Sequence, residues 1–355
     1  MPIDGRYLAP MFHFHWRTRC AAVRRILSAK DYLCYALTGR AVTDPSTAAG
    51  YGVHSLDGGW DPDLAAFWEL DPSLLPALLP AESSAGGLTV EAARLLDLPQ
   101  GVPVAVGAAD SVAGALAMAG VEEGVVSLVM GSSAVVIDAV PGPRLDPERR
   151  YLLTPHVRPR WFGREMDLLA AGTGYRWLGR LLGWSGTEME ARAAAAPPGA
   201  RGLFFAPYLA GGEQGALWNP ALTGVLHGLS LHHGPADVAR AFLEGVQFEI
   251  RRCVEVLAER GPVRRIVLAG HMAASPPMLQ MLADILGRPV DAFAHLSPAA
   301  LGAALLAPAP GAAARATPDP GHGSARPGLG TDEYDALYRR YAALFPRAAL
   351  PPATA

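Results

Sequence analysis

The sequence predicts an α/β protein in which helices cover a sheet, and three observations carry that expectation. Short runs of β-branched and aliphatic residues alternate with longer stretches of helical periodicity. Two such runs, 125–131 and 134–140, are separated only by Ser132 and Ser133 and read as a hairpin. Half of the 355 residues are hydrophobic and 18% are charged, a balance suited to packed cores rather than disordered chain. The length suits about two domains.

Taken in order, residues 16–39 are expected to be helical. Trp16, Cys20, Val23, Ile26 and Leu27 recur at helical spacing, and Gly39 offers a stop. Residues 43–63 are rich in turn formers, and 62–82 read as short helical pieces punctuated by Pro72, Pro76 and Pro80. Thr89–Leu96 reads as a further helix. PVAVGAAD, 103–110, reads as a buried strand running into a carboxylate, and SVAGALAMAG, 111–120, as a helix of small residues. Residues 164–182 are expected to be helical, carrying Leu168, Leu169, Tyr175, Trp177 and Leu178. The glycine-rich stretch 201–234 offers one strand near GVLHGLSL. The clearest helix spans 236–260, with Val238, Phe242, Val246, Ile250, Val254 and Leu257 on one face. RRIVLAG, 264–270, is a buried strand. A helix follows through Leu286, with Ser275 as N-cap, Pro276 as first residue and Gly287 just past the end. Residues 307–330 are rich in Ala, Pro and Gly and read as a linker. In the last helix, Tyr334, Leu337, Tyr338, Tyr341 and Leu344 recur at helical spacing, and its tyrosines read as packing.

Composition excludes several functions. Thirty basic residues face 33 acidic ones, so no basic excess points to nucleic acid or an anionic membrane. No apolar run is long enough to span a bilayer, and the N-terminus lacks the core of a signal peptide. The three cysteines, Cys20, Cys34 and Cys253, are scattered, which argues against a disulfide framework and for a reducing cytoplasm. His13 with His15 and His232 with His233 lack a third ligand at a zinc-site spacing. GTGYRW, 172–177, lacks the strand context of a dinucleotide fingerprint. GSSAV does not fit a hydrolase nucleophile elbow.

Three places could carry chemistry. Asp110, entering a small-residue helix, could accept a proton from an attacking hydroxyl or could simply cap the helix. The turn Gly131-Ser132-Ser133 could aim backbone N–H groups at a phosphate or be an ordinary hairpin turn. LAGHMAAS, 268–275, could bring a nucleotide close to the backbone, or merely link a strand to a helix. A carboxylate shortly before a small-residue hairpin is what phosphoryl transfer to a hydroxyl requires.

These stretches together resemble the FGGY carbohydrate kinases. PMFHFHW, 10–16, resembles the family's P-x-x-K-L-x-W segment with His13 at the lysine, and KDYLCYALTGRAVTDPSTAAGYGVHSL, 30–56, its K-D-Y-L…T-D-x-S-x-A segment. GVPVAVGAADSVAGALAMAGVEEG, 101–124, is similar to the stretch bearing the family's catalytic aspartate, and VSLVMGSSAVV, 126–136, to its G-T-S hairpin. GVLHGLSLHHGPADVARAFLEG, 224–245, resembles the second family signature, and IVLAGHMAASPPMLQMLADILGRPV, 266–290, the adenosine loop and its helix.

The resemblance implies an actin-like ATPase (ribonuclease H-like) fold, with two domains around a cleft and the first one truncated. Residues 1–124 would be the remainder of the N-terminal domain and 125–306 the C-terminal domain, followed by the linker 307–330 and a helix over 331–346. It implies transfer of the ATP γ-phosphate, with Mg²⁺, to a hydroxyl of a small-molecule sugar or sugar acid. Asp110 would be the base. Gly131, Ser132 and Ser133 would hold phosphates, and Gly270, His271, Met272 and Ala273 would border the adenosine. A non-catalytic relative that binds sugar, nucleotide or a partner chain is the alternative. Departures are the absence of the D-x-G-T hairpin that opens the family, His271 and Met272 in place of two glycines, and Gln214 where arginine is common. Missing strands would leave a sheet exposed, so a second copy or a complementing N-terminal chain is an expected partner.

Overall fold

The computed structural model describes residues 7–16, 23–211, 215–219, 222–294, 297–307 and 323–346. Cys20, Gln214 and most of the expected linker lie outside the described residues. Seven strands form the central sheet: β1 Val125–Met130, β2 Ala134–Pro141, β3 Leu152–Pro155, β4 Trp161–Leu168, β5 Arg265–Gly270, β6 Val290–Ala292 and β7 Ser324–Ala325, in the order β7-β6-β5-β1-β2-β4-β3. β6, β5 and β1 run parallel to one another, and the other pairings are antiparallel. The expected hairpin is β1–β2, with Met130 opposite Ala134.

Seven helices matter for the argument: α1 Ala29–Thr38, α2 Asp110–Ala119, α3 Ala171–Leu182, α4 Pro235–Ala258, α5 Pro276–Leu286, α6 Pro298–Leu305 and α7 Thr331–Leu344. Alternation along the strands sorts the side chains between two layers. Val126, Leu128 and Met130 face the large core, with Val136, Met166, Leu268 and the apolar stripe of α4. On the other face Val129, Val267 and Ala269 pack with Met118 of α2 and Leu301 of α6. α2 and α6 touch backbone to backbone, since a Cβ on Gly302 would sit 1.8 Å from the Ala113 carbonyl oxygen.

Several expectations are corrected. Among the described residues of 16–39, helix runs only over α1, capped by Ser28 and ended by Gly39 in the left-handed conformation. The strand expected over 103–110 ends at Ala105, pairs only with Ser84–Gly87, and is exposed or half-buried. Asp110 is therefore the first residue of α2, directly after the four-residue loop 106–109, and not a strand end. The helix expected over 164–182 is really β4 followed by α3. Charged residues at 164, 165 and 167 obscured its period of two. Phe204–Ala206, the partner of Val225–His227, was not anticipated. Residues 324–325, read as linker, are the edge strand β7. Ser275 stands at the N-cap of α5 but its side chain makes no capping bond there.

The tyrosines of α7 do pack, and their hydroxyls also reach carboxylates on α4. Tyr341 donates to Glu249 and Tyr338 to Glu255, each at 2.8 Å. Among the described residues no helix is long and apolar enough to cross a membrane.

Candidate active site

The turn after β1 is the first component. Gly131 and Ser132 are exposed and Ser133 is half-buried, with the Gly131 N–H bonded across the turn to the Ser133 carbonyl. Two other backbones press against it. A Cβ on Gly172, at the start of α3, would lie 2.0 Å from the Gly131 oxygen. A Cβ on Gly270, at the end of β5 with φ +106°, would lie 2.2 Å from the Met130 oxygen. Only glycine permits both approaches. The Thr173 N–H donates to the Ser132 carbonyl at 2.9 Å, and Arg176 Nη2 donates to Ser132 Oγ at 3.1 Å. The turn thus carries a helix N-terminus and a guanidinium beside it, both suited to an anion.

Arg176 and Thr173 were missed in the sequence. Their signal was present in GTGYRW, which was tested only against the dinucleotide motif. Of the loop after β5, Gly270 and His271 are exposed, whereas Met272 and Ala273 are 3% and 8% exposed. Met272 packs into the large core. The His271 ring lies on the rim, 5.4 Å from Tyr175.

Asp110 is exposed, and Ala109 at the N-cap supplies no side-chain bond. Helix capping therefore does not account for its carboxylate. The Ser111 N–H donates to Asp110 Oδ1 at 2.9 Å, and the Ser111 hydroxyl donates to Glu165 Oε2 on β4 at 3.1 Å. Glu165 lies opposite Ile137, while Leu168 lies opposite Ala134 beside the turn. Three residues of strand separate them, so the Ser111–Glu165 bond sits about 10 Å along the sheet from the turn. Burial, with help from the charges of Asp167 and Asp110, pushes Glu165 up to about 7.

The loop leading to Asp110 is held by the segment 30–46. Lys30 Nζ donates to the Val106 carbonyl at 3.0 Å and pairs with Asp31 at 2.9 Å and Asp44 at 3.1 Å. Asp44 accepts from the Ser46 hydroxyl, which in turn accepts from the Ala109 N–H at 2.9 Å. The segment 30–46 therefore fixes both ends of the span 106–109, immediately before the carboxylate.

A cavity of about 780 Å³ opens beside this corner, with Ala109, Ser111 and Glu165 in its wall and Ser46, His54 and Thr154 around it. Among the described residues no three His, Cys, Asp or Glu side chains are grouped as a metal site, so no Mg²⁺ ligand is assigned. His13 instead bonds the Trp68 carbonyl through Nδ1 at 3.0 Å.

Comparison with known proteins identifies two family domains in the chain. Residues 12–117 match the N-terminal domain and 126–309 the C-terminal domain of the FGGY family of carbohydrate kinases. A gluconokinase of Bacillus licheniformis is 28% identical over 320 residues, covering 84% of this chain and 62% of that relative. A xylulose kinase of Escherichia coli (strain K12) is 32% identical over 292 residues, covering 80% and 59%. The crystal structure of xylulose kinase from Rhodospirillum rubrum superposes with a TM-score of 0.83 at 31% identity, covering 96% of this chain and 72% of that one. The chain thus spans about three fifths of the length of the curated relatives it matches. Its fold is the actin-like, ribonuclease H-like ATPase fold. By its two matched domains and its shared architecture, the chain belongs to the FGGY family of carbohydrate kinases.

Proposed function

We propose that the chain carries the base and the phosphate-binding turn of a kinase. That enzyme moves the γ-phosphoryl group of ATP to a hydroxyl of a sugar or sugar acid of the pentulose or gluconate class. The observation that carries the reading is the convergence of the 131–133 turn, the α3 N-terminus with Arg176, and the glycine at the end of β5, on the same sheet as the Ser111–Glu165 bond beside Asp110.

In the proposed step the acceptor oxygen attacks the γ-phosphorus, the bond from phosphorus to the β–γ bridging oxygen breaks, and ADP leaves with that electron pair. The hydroxyl proton passes to the Asp110 carboxylate. Backbone N–H groups at the turn and the Arg176 guanidinium offset charge on the phosphates, and the Lys30-anchored loop orients Asp110. Mg²⁺, when bound, adds positive charge at the phosphates. Most of the catalysis is therefore positioning and charge stabilisation.

The test is a coupled ADP-release assay over pentuloses, gluconate and glycerol. Asp110→Asn is expected to lower turnover by about 10²- to 10⁴-fold, the usual worth of a general base. Unchanged turnover in that variant refutes the assignment.

A further inference from the structure

We infer that Glu165 is a positioning residue for Asp110, acting through Ser111, which bonds both carboxyl groups. The inference rests on Asp110 being the base and adds the residue that fixes its orientation. Ser111 gives its N–H to Asp110 Oδ1 and its hydroxyl to Glu165 Oε2, so the first turn of α2 is pinned to β4 at the carboxylate itself. The Thr154 hydroxyl approaches the same Glu165 oxygen at 3.5 Å.

The surroundings of Glu165 are poor in countercharge. Its register neighbours are Ile137 on β2 and Leu152 on β3, both apolar. Asp110 faces it from α2 and Asp167 from its own strand. His54, Asp146 and Arg149 line the same cavity. Asp146 is engaged by Arg150. Among the described residues neither Asp110 nor Glu165 forms an ion pair with a cation. Burial, with the charges of Asp167 and Asp110, pushes Glu165 up to about 7, and its Oε2 accepts the Ser111 hydroxyl. That bond holds Ser111 in place, and with it the N–H that orients Asp110 Oδ1.

Rescue in the ADP-release assay tests this. Glu165→Ala removes the acceptor of the Ser111 hydroxyl and is expected to lower kcat about tenfold at constant KM, whereas Glu165→Gln is isosteric, still accepts from Ser111 and is expected to keep most of the parental kcat. Parental kcat in Glu165→Ala, or an equal loss in Glu165→Gln, overturns the inference. Ser111→Ala supplies a second arm, expected to lower kcat about tenfold at constant KM. Parental kcat in that variant also overturns it. The base reading fails separately, by full turnover of Asp110→Asn.

Discussion

Replacing Gly172 with alanine is the sharpest test of the phosphate turn. The new methyl would lie 2.0 Å from the Gly131 oxygen, 3.1 Å from the Gly131 carbonyl carbon and 3.5 Å from Ser132 Cα. Non-bonded carbon contacts sit near 3.5 Å, so α3 and the turn must part by more than about 1 Å. Nothing nearby can yield cheaply, because the offending atoms are backbone. The parting stretches the 2.9 Å bond from the Thr173 N–H to the Ser132 carbonyl and draws Arg176 from Ser132 Oγ. Overpacking of this kind costs about 1–3 kcal/mol of stability, which a folded domain survives. A displacement of about 1 Å at a reacting centre costs on the order of 10²-fold in rate. The expected outcome is a folded variant with about 10²-fold lower kcat/KM in the ADP-release assay, and weakened ATP binding by calorimetry. Gly114→Ala is the control, since its Cβ would meet Pro298 and Ala299 at ordinary distances of 3.6 and 3.7 Å. A Gly172→Ala chain with parental ATP affinity and rate would refute the turn as a phosphate site.

Three further outcomes are expected. Burial, with Arg158 adding to it, pushes His156 down to about 4, so the unfolded chain binds the extra proton between about pH 6.5 and 4. Stability therefore falls as pH drops through that window, by up to about 3 kcal/mol, and urea midpoints of His156→Phe should fall less steeply there than those of the parent. Met272→Gly should cost about 2–5 kcal/mol in urea unfolding because Met272 is in the core, whereas His271→Gly should change stability by less than about 1 kcal/mol. Equal losses would contradict the placement of the two side chains. Lys30→Arg should lower both the thermal midpoint and turnover, and parental values for both would show that the 106–109 loop does not depend on the ammonium.

What the sequence made legible follows from how each signal is carried. The β1–β2 hairpin was readable because most residues of both strands are buried on either face and read as β-branched and aliphatic runs, interrupted only by Ser127 and Asp138 before the exposed Pro141. β4 was not, because Arg164 sits fully buried in the core against Asp138 of β2, its register partner, with Nε to Oδ1 at 3.0 Å. An ion pair inside the sheet writes a charge where hydropathy expects an apolar residue. Asp110 was singled out partly on an incorrect premise, since the strand before it ends at Ala105. Motif resemblance, not strand geometry, carried that choice. Arg176 and Glu165 were invisible because their partners, Ser132 and Ser111, lie 44 and 54 residues away in sequence. Pairings at that range leave no local pattern.

Lys30 shows the same principle at the level of side-chain chemistry. It is the single lysine in a chain whose other 29 basic residues are arginine, a bias that on composition alone carries no functional meaning. Its position gives the residue a reason. Three oxygens surround Nζ within 3.1 Å: the Asp31 carboxylate from the same helix, the Asp44 carboxylate from the N-cap of the short helix Pro45–Ala49, and the Val106 carbonyl from the loop before Asp110. An ammonium presents three donors around one compact centre, whereas a guanidinium spreads five across a rigid plane. Converging acceptors from three segments match the former. Asp31 and Asp44 are almost fully buried, so removing their cation would strand two carboxylates, each costing several kcal/mol to leave unpaired. The lysine thus ties the stability of the first domain to the placement of the loop that ends in the proposed base. That coupling is why a substitution some eighty residues from Asp110 in sequence is expected to reach its chemistry.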